Sequence, residues 1–186
     1  MELKKSALRH LGAVIAVCVL AAACSPDVAE TLPLSAPSGV FTPPETQLER
    51  DMRLDFEAAE KSYRAFRAEY DRIGVRGGTS RATAVMRENA AGPYLQVMTK
   101  FSADDKRAGI RQTGNVQIGY VRHISHSPRE VSLDTCEDGT KVTNRTSGGQ
   151  FQSHGVALKL SLEFHLIDGK WKIWNGDDKR VSSCAL

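Results

Sequence analysis

Apolar residues alternate with polar ones most regularly in residues 156–174. Val156, Leu158, Leu160, Leu162, Phe164 and Leu166 interleave with Ala157, Lys159, Ser161, Glu163, His165 and Ile167, the period of a strand with one buried face. Asp168-Gly169 follows, a pair that tolerates positive φ at both central positions of a type I′ turn and so closes a hairpin. The turn sets the register: Ile167 faces Lys170, Leu166 faces Trp171, His165 faces Lys172, Phe164 faces Ile173 and Glu163 faces Trp174. Each apolar cross-strand pair adds about 0.2–1 kcal/mol beyond burial, enough to fix a register but not to hold a hairpin alone. Something must cover its apolar side.

The cover is legible upstream. Leu48, Met52, Phe56, Ala59, Tyr63, Phe66, Tyr70 and Ile73 recur every three or four residues, which predicts a long amphipathic helix. Glu49/Arg53, Glu57/Lys61 and Glu60/Arg64 line its wet side. Thr42-Pro43-Pro44-Glu45 reads as the capping box that starts it, and Gly74 with Gly77-Gly78 ends it. Thr79-Ser80 is placed to cap a shorter second helix running to about Asn89; after Gly92-Pro93 the residues Tyr94, Leu95, Val97, Met98 and Phe101 form a third apolar segment.

Beyond Gly109 the period becomes two. Val116, Ile118 and Tyr120 alternate while Val121 and Ile124 fall out of phase, predicting a strand bent near Gly119. Val131, Leu133 and Thr135 form another strand that delivers Cys136. Glu137-Asp138-Gly139 turns toward Lys141-Val142-Thr143, residues 144–155 read as a polar loop, and residues 180–184 could add a last edge. Helices followed by an antiparallel meander make the fold class α+β, the helices packed on a curved sheet.

The first residues alter the domain count. Lys4, Lys5 and Arg9 precede thirteen uncharged residues, 11–23, and Ala21-Ala22-Ala23-Cys24 follows. This is the layout of an export signal, and the run falls short of the roughly 20 residues of a membrane span. It resembles a bacterial lipoprotein signal, which implies removal of residues 1–23 and acylation of Cys24 with palmitate-type chains. An ordinary secretory signal cut near Ala23 and a retained short anchor are the alternatives. Residues 24–42 form a Pro-rich tether; Pro26, Pro33 and Pro37 lie in it, and Pro43 and Pro44 end the run. At about 3.1 Å per residue it would reach at most ~60 Å from a bilayer, placing a domain of residues 43–186 on the extracytoplasmic face of the cell membrane.

Four cysteines then sort themselves. Cys18 lies in the signal and Cys24 is the lipid site, leaving Cys136 and Cys184. An even pair in an exported domain reads as a disulfide; two buried free thiols are the alternative. The formal charge of +3 falls to about +1 once Glu2, Lys4, Lys5 and Arg9 are removed, which gives no footprint for nucleic acid. A local excess of Lys100, Lys106, Arg107, Arg111, Arg122 and Arg129 over Asp104 and Asp105 is a solvated surface or a patch for anionic lipid or an acidic envelope polymer.

The long first helix, the strand ending in Cys136-Glu137-Asp138-Gly139-Thr140, the Asp168-Gly169-Lys170-Trp171-Lys172-Ile173 hairpin and the near-terminal Cys184 resemble the nuclear transport factor two-like, or cystatin-like, superfamily. More narrowly they are similar to actinobacterial exported lipoproteins of the cell envelope built on that fold. The resemblance spans residues 43–184. It implies a cone-shaped domain with a pocket at its open end, serving isomerase or dehydratase chemistry in some relatives and binding in others, and again a Cys136–Cys184 bridge.

Candidate chemistry is sparse. Asp134, Tyr94, Tyr120 and His123 are the polar groups such a pocket could use, but alternation turns Asp134 outward if Leu133 points in, and the tyrosines read as wall residues with wet hydroxyls. His123 and His126, three apart, should leave a strand on opposite faces, His165 reads as a surface imidazole, and His154 falls in a loop, so no metal site and no cofactor are expected. Trp174, on the Glu163 side of the hairpin, is the candidate interaction surface; the remainder of that side is too polar for an obligate dimer, so a monomer is expected. The expected role is a tethered, non-enzymatic binding or accessory module for a protein or small apolar ligand. Two alternatives stand beside it, a pocket enzyme of the isomerase or dehydratase type and a structural partner in a secretion, conjugation or phage-exclusion apparatus.

Overall fold

The long helix begins one capping box later than the sequence suggests. In the computed structural model, which describes residues 44–184, α1 spans Gln47–Val75 with Thr46 as its N-cap. The Thr46 hydroxyl accepts from the Glu49 N–H at 3.2 Å, and Glu49 Oε2 accepts from the Thr46 N–H at 2.8 Å. Thr42-Pro43-Pro44-Glu45 has the same spacing in sequence, but the helix starts from the Thr46 box. The signal, Cys24 and the tether lie outside the described residues.

One stripe of α1 is buried, at Phe56, Ala59, Tyr63, Phe66 and Ile73. Removing each large side chain from water contributes roughly 1.5–3 kcal/mol. The second helix, α2 (Ala84–Asn89), is capped by Thr83 rather than by Thr79-Ser80. Thr79 is occupied elsewhere: its N–H donates to Ser102 Oγ and its hydroxyl to the Arg81 carbonyl. The third, α3, covers Gly92–Ala108.

Seven strands follow: β1 (Ile110–Thr113), β2 (Gln117–Ser127), β3 (Glu130–Asp138), β4 (Thr143–Thr146), β5 (Phe151–His154), β6 (Ala157–Ile167) and β7 (Lys170–Val181). They form an open four-stranded antiparallel sheet, β2-β3-β6-β7, and a three-stranded one, β1-β4-β5. The smaller sheet corrects the reading of residues 144–155 as a loop. Its strands are short, and in β5 every residue is exposed, so no buried face marks their period. His154 therefore belongs to a strand, with its ring 4.9 Å from that of Phe151.

The β6–β7 hairpin has the expected pairs from Ile167/Lys170 through Phe164/Ile173, and the turn residues Asp168 and Gly169 both take positive φ, 52° and 73°. At Glu163 the register slips, and its partner is Asn175 rather than Trp174. The expected bend in β2 is present between Ile118 and Tyr120, and a second irregularity lies between His123 and Ser125. All three helices pack on one face of the larger sheet, burying Val131, Leu133, Leu162, Phe164, Trp171 and Ile173 against Phe56, Tyr63, Phe66 and Met86. Cys136 and Cys184 are bridged, with Cα atoms 5.5 Å apart, so Cys184, just past β7, is clasped to the C-terminal part of β3. The clasp crosses the β2 bend where a side chain would not fit: a Cβ on Gly119 would lie 2.9 Å from that of Cys184. Among the described residues no helix is long and apolar enough to cross a membrane.

Candidate functional site

A cavity of about 450 Å³ opens between α3 and the β6–β7 end of the sheet. The walls are apolar: Tyr94, Val97, Met98 and Phe101 come from α3 and Leu158, Leu160 and Leu162 from β6. Its floor is formed by Arg67 and Tyr70 of α1 and Glu137 of β3, and its rim by residues 175–178 of β7. A more open groove of about 550 Å³ on the other flank of α1 is rich in arginine. There Arg64, Arg67 and Arg72 are paired with Glu60, Asp71 and Glu69, which leaves less for a ligand to do.

The floor is a buried polar network. Arg67 Nη2 donates to Asp71 Oδ1 at 2.6 Å and Nη1 to Glu137 Oε2 at 3.3 Å. The three side chains keep only 12%, 9% and 8% of their surface, so they depend on each other rather than on water. Glu137 Oε1 accepts from the Tyr63 hydroxyl at 2.8 Å, and Asp71 accepts from Gln112 Nε2 at 3.0 Å and the Val116 N–H at 3.3 Å. Both oxygens of both carboxylates are thus engaged. Arg67 Nε is buried without a hydrogen-bond partner, and the guanidinium carbon lies 5.0 Å from the Tyr70 ring centroid, within cation–π range.

Burial works against the charge on Arg67, but Glu137 and Asp71 outweigh it and hold the guanidinium above its usual value. Burial also pushes the Tyr63 and Tyr94 hydroxyls up, with Glu137 adding to the effect. Tyr70 is pushed up to about 12 by burial and by Asp105. The floor of the cavity therefore presents phenols and paired charges, while its rim carries the carboxylates Asp177 and Asp178.

Of the residues singled out from sequence, Tyr94 lines this cavity and Tyr120, Asp134 and His123 do not. Tyr120 is half-buried in β2 and its carbonyl accepts from Thr135 Oγ1 at 2.7 Å. Asp134 lies on the far face of the sheet as expected, held by Arg122 at 2.8 Å and Lys159 at 3.2 Å. Burial raises its pKa, but hydrogen bonds from Arg122, Ser161 and Lys159 outweigh that and leave it lowered.

His123 and His126 are not on opposite faces. The irregularity between them brings both rings against Phe56, at 4.2 and 5.8 Å. His126 Nε2 also lies 2.8 Å from Asp55 Oδ2, while Trp171 Nε1 donates to Asp55 Oδ1 at 3.0 Å. Asp55 so ties α1 to both outer strands of the sheet.

Trp174 is half-buried rather than displayed on the hairpin's open face. The register slip takes it out of the ladder; its ring stacks on His165 at 4.9 Å and packs against Gly92. Gly92 has φ 54°, and a Cβ there would stand 2.7 Å from the indole. Gly92→Ala is expected to cost roughly 1–3 kcal/mol and to red-shift the Trp174 emission; unchanged fluorescence and melting would refute this packing. His165 is half-buried, and one ligand atom each from Glu130, Glu163 and His165 lies within 4.8 Å of the others. Among the described residues this is the group with ligand atoms so spaced, and exposed acidic groups commonly stand this close without an ion.

Sequence reasoning missed Arg67, Asp71 and Glu137. The signal was present, since Glu137 continues the inward phase of Val131, Leu133 and Thr135 and Arg67 stands four residues from both Tyr63 and Asp71 on α1.

No protein-family model and no curated protein matches the chain. Several solved structures do. The intermembrane-space region of the chloroplast protein ARC6 is 13% identical, with a TM-score of 0.49, over 67% of this chain and 96% of its own. A candidate dehydratase of the NTF2-like family from Streptomyces avermitilis is 12% identical, with a TM-score of 0.45, over 70% and 99%. An NTF2-like protein with a cystatin-like fold from Novosphingobium aromaticivorans is 10% identical, with a TM-score of 0.42, over 72% and 89%. The strands and helices themselves make this an α+β domain of helices packed on antiparallel sheets, and the structures it is similar to include NTF2-like and cystatin-like proteins.

Proposed function

We propose that the protein is a lipid-anchored extracytoplasmic binding module that holds a small, largely apolar ligand in the cavity beside α3. The observation that carries this reading is the cavity itself: about 450 Å³, walled by aliphatic and aromatic side chains, a volume and lining typical of small-molecule sites. The engagement of Glu137 and Asp71 with Arg67 and Tyr63 leaves the cavity floor without a free base for isomerase or dehydratase chemistry and so favours binding; the uncommitted carboxylates stand at the rim. The Cys136–Cys184 bridge supports an oxidising compartment, and the lipoprotein-like residues 21–24 support the anchor.

Intact mass spectrometry of membrane-extracted protein tests the anchor. The expected species begins at Cys24, carries acyl chains and gains the mass of two hydrogens on reduction; unmodified full-length chain would refute it. Solvent extraction of the same protein tests the cavity. Wild type is expected to release, or to take up from an apolar dye, one molecule per chain, and Leu158→Trp, which fills the cavity, much less. Equal uptake by both would refute the site.

A further inference from the structure

We propose that the cavity selects a ligand with a cationic head on an apolar body, an alkyl or aryl amine or ammonium compound. This rests on the reading of the cavity as a ligand site and adds the charge of what it takes. The charged groups in the lining are Arg67, Glu137, Asp177 and Asp178. Arg67 is already committed, its Nη atoms donating to Asp71 at 2.6 Å and Glu137 at 3.3 Å. Asp177 and Asp178 have no ion-pair partner among the described residues. Asp178 is opposite Leu160 in the ladder, and Leu160 is a wall of the cavity, so Asp178 sits on the cavity side of the sheet, whereas Asp177, opposite Ser161, is turned to the other face. Arg180, two residues on and opposite Leu158, is exposed and not part of the lining.

Charge complementarity decides among occupants. An anionic ligand would bring its charge toward Asp178 and Glu137 with no uncommitted cation in the lining to meet it, and burying an unpaired charge is costly. A neutral ligand gains only apolar contact. A cationic head offsets the Asp178 carboxylate at the rim, and the Tyr70, Tyr94 and Phe101 rings supply faces that attract a cation; the Arg67 guanidinium already rests on one of them. The tail has its own surface. Val97 and Phe101, one helical turn apart on α3, are 48% and 52% exposed at the opening.

The test is calorimetric titration of the protein with decylamine, decanol and decanoate, a set matched in chain and differing in head charge, each below its micelle concentration. Decylamine is expected to bind about tenfold more tightly than decanol and decanoate least. Asp178→Asn is expected to draw decylamine down toward decanol. Equal affinity for decylamine and decanol would overturn the charge selection and leave the cavity reading standing. Binding of decylamine by Leu158→Trp as tightly as by wild type would place the amine elsewhere and also overturn it. Heat from none of the three would overturn both readings.

Discussion

Replacing Arg67 by Met is expected to lower the stability of the domain by about 3–5 kcal/mol, the usual result of removing one partner from a buried ion pair. The loss comes from what stays behind. Asp71 and Glu137 are more than nine-tenths buried, and without the guanidinium they keep only the neutral donors Gln112, Tyr63 and the Val116 N–H. Met fills much of the same volume, so packing alone would predict a change near 1 kcal/mol. A double variant separates the two accounts: Arg67→Met with Glu137→Gln removes one stranded charge and should recover a substantial part of the loss. Urea unfolding of the two variants is the measurement. A single variant within about 1 kcal/mol of wild type would mean that water reaches the floor of the cavity and that the network is not the closed one described.

That network shows where sequence reading reaches its limit in this chain. Residues whose burial follows a period were legible: the α1 stripe from Phe56 to Ile73 and the cross-strand pairs Leu166/Trp171 and Phe164/Ile173 stand where alternation and the Asp168-Gly169 turn put them. The same rule failed one step later, at Glu163, because a slip of register adds a residue to one strand without any mark in its composition. Trp174 moved from a displayed side chain to a half-buried one for that reason alone. The slip between His123 and Ser125 likewise turned two histidines expected on opposite faces onto the same phenylalanine. The β4–β5 hairpin was lost because its strands are short and polar, half-buried in most of β4 and exposed throughout β5, and so carry no hydrophobic period. Charged members of the site were passed over for the opposite reason, since Arg67 and Glu137 stand in buried phase but are residue types that ordinarily mark the wet side.

Breaking the Cys136–Cys184 bridge, by Cys136→Ser with Cys184→Ser, is expected to cost about 4 kcal/mol in the chain-entropy account of a loop whose ends are 48 residues apart. At the sensitivity usual for a domain of this size, that lowers Tm by roughly 10–15 °C. The loop enclosed by the bridge contains the β4–β5 hairpin, β6 and β7, so the bridge restrains the segment with the longest non-local pairings in the fold. Its removal should also act unevenly. Residues after Val181 are held to the β2 bend near Gly119 by the clasp, whereas the β6–β7 pairs near the turn are secured by Trp171 and Ile173 in the core. Hydrogen exchange should therefore speed up first at residues 177–181, the edge that carries Asp177 and Asp178, and least at residues 164–173. Reduction would then loosen the rim of the cavity before it unfolds the domain. Uniform exchange across β7, or a melting temperature unmoved by the double substitution, would show that the core alone fixes this strand and that the bridge contributes little.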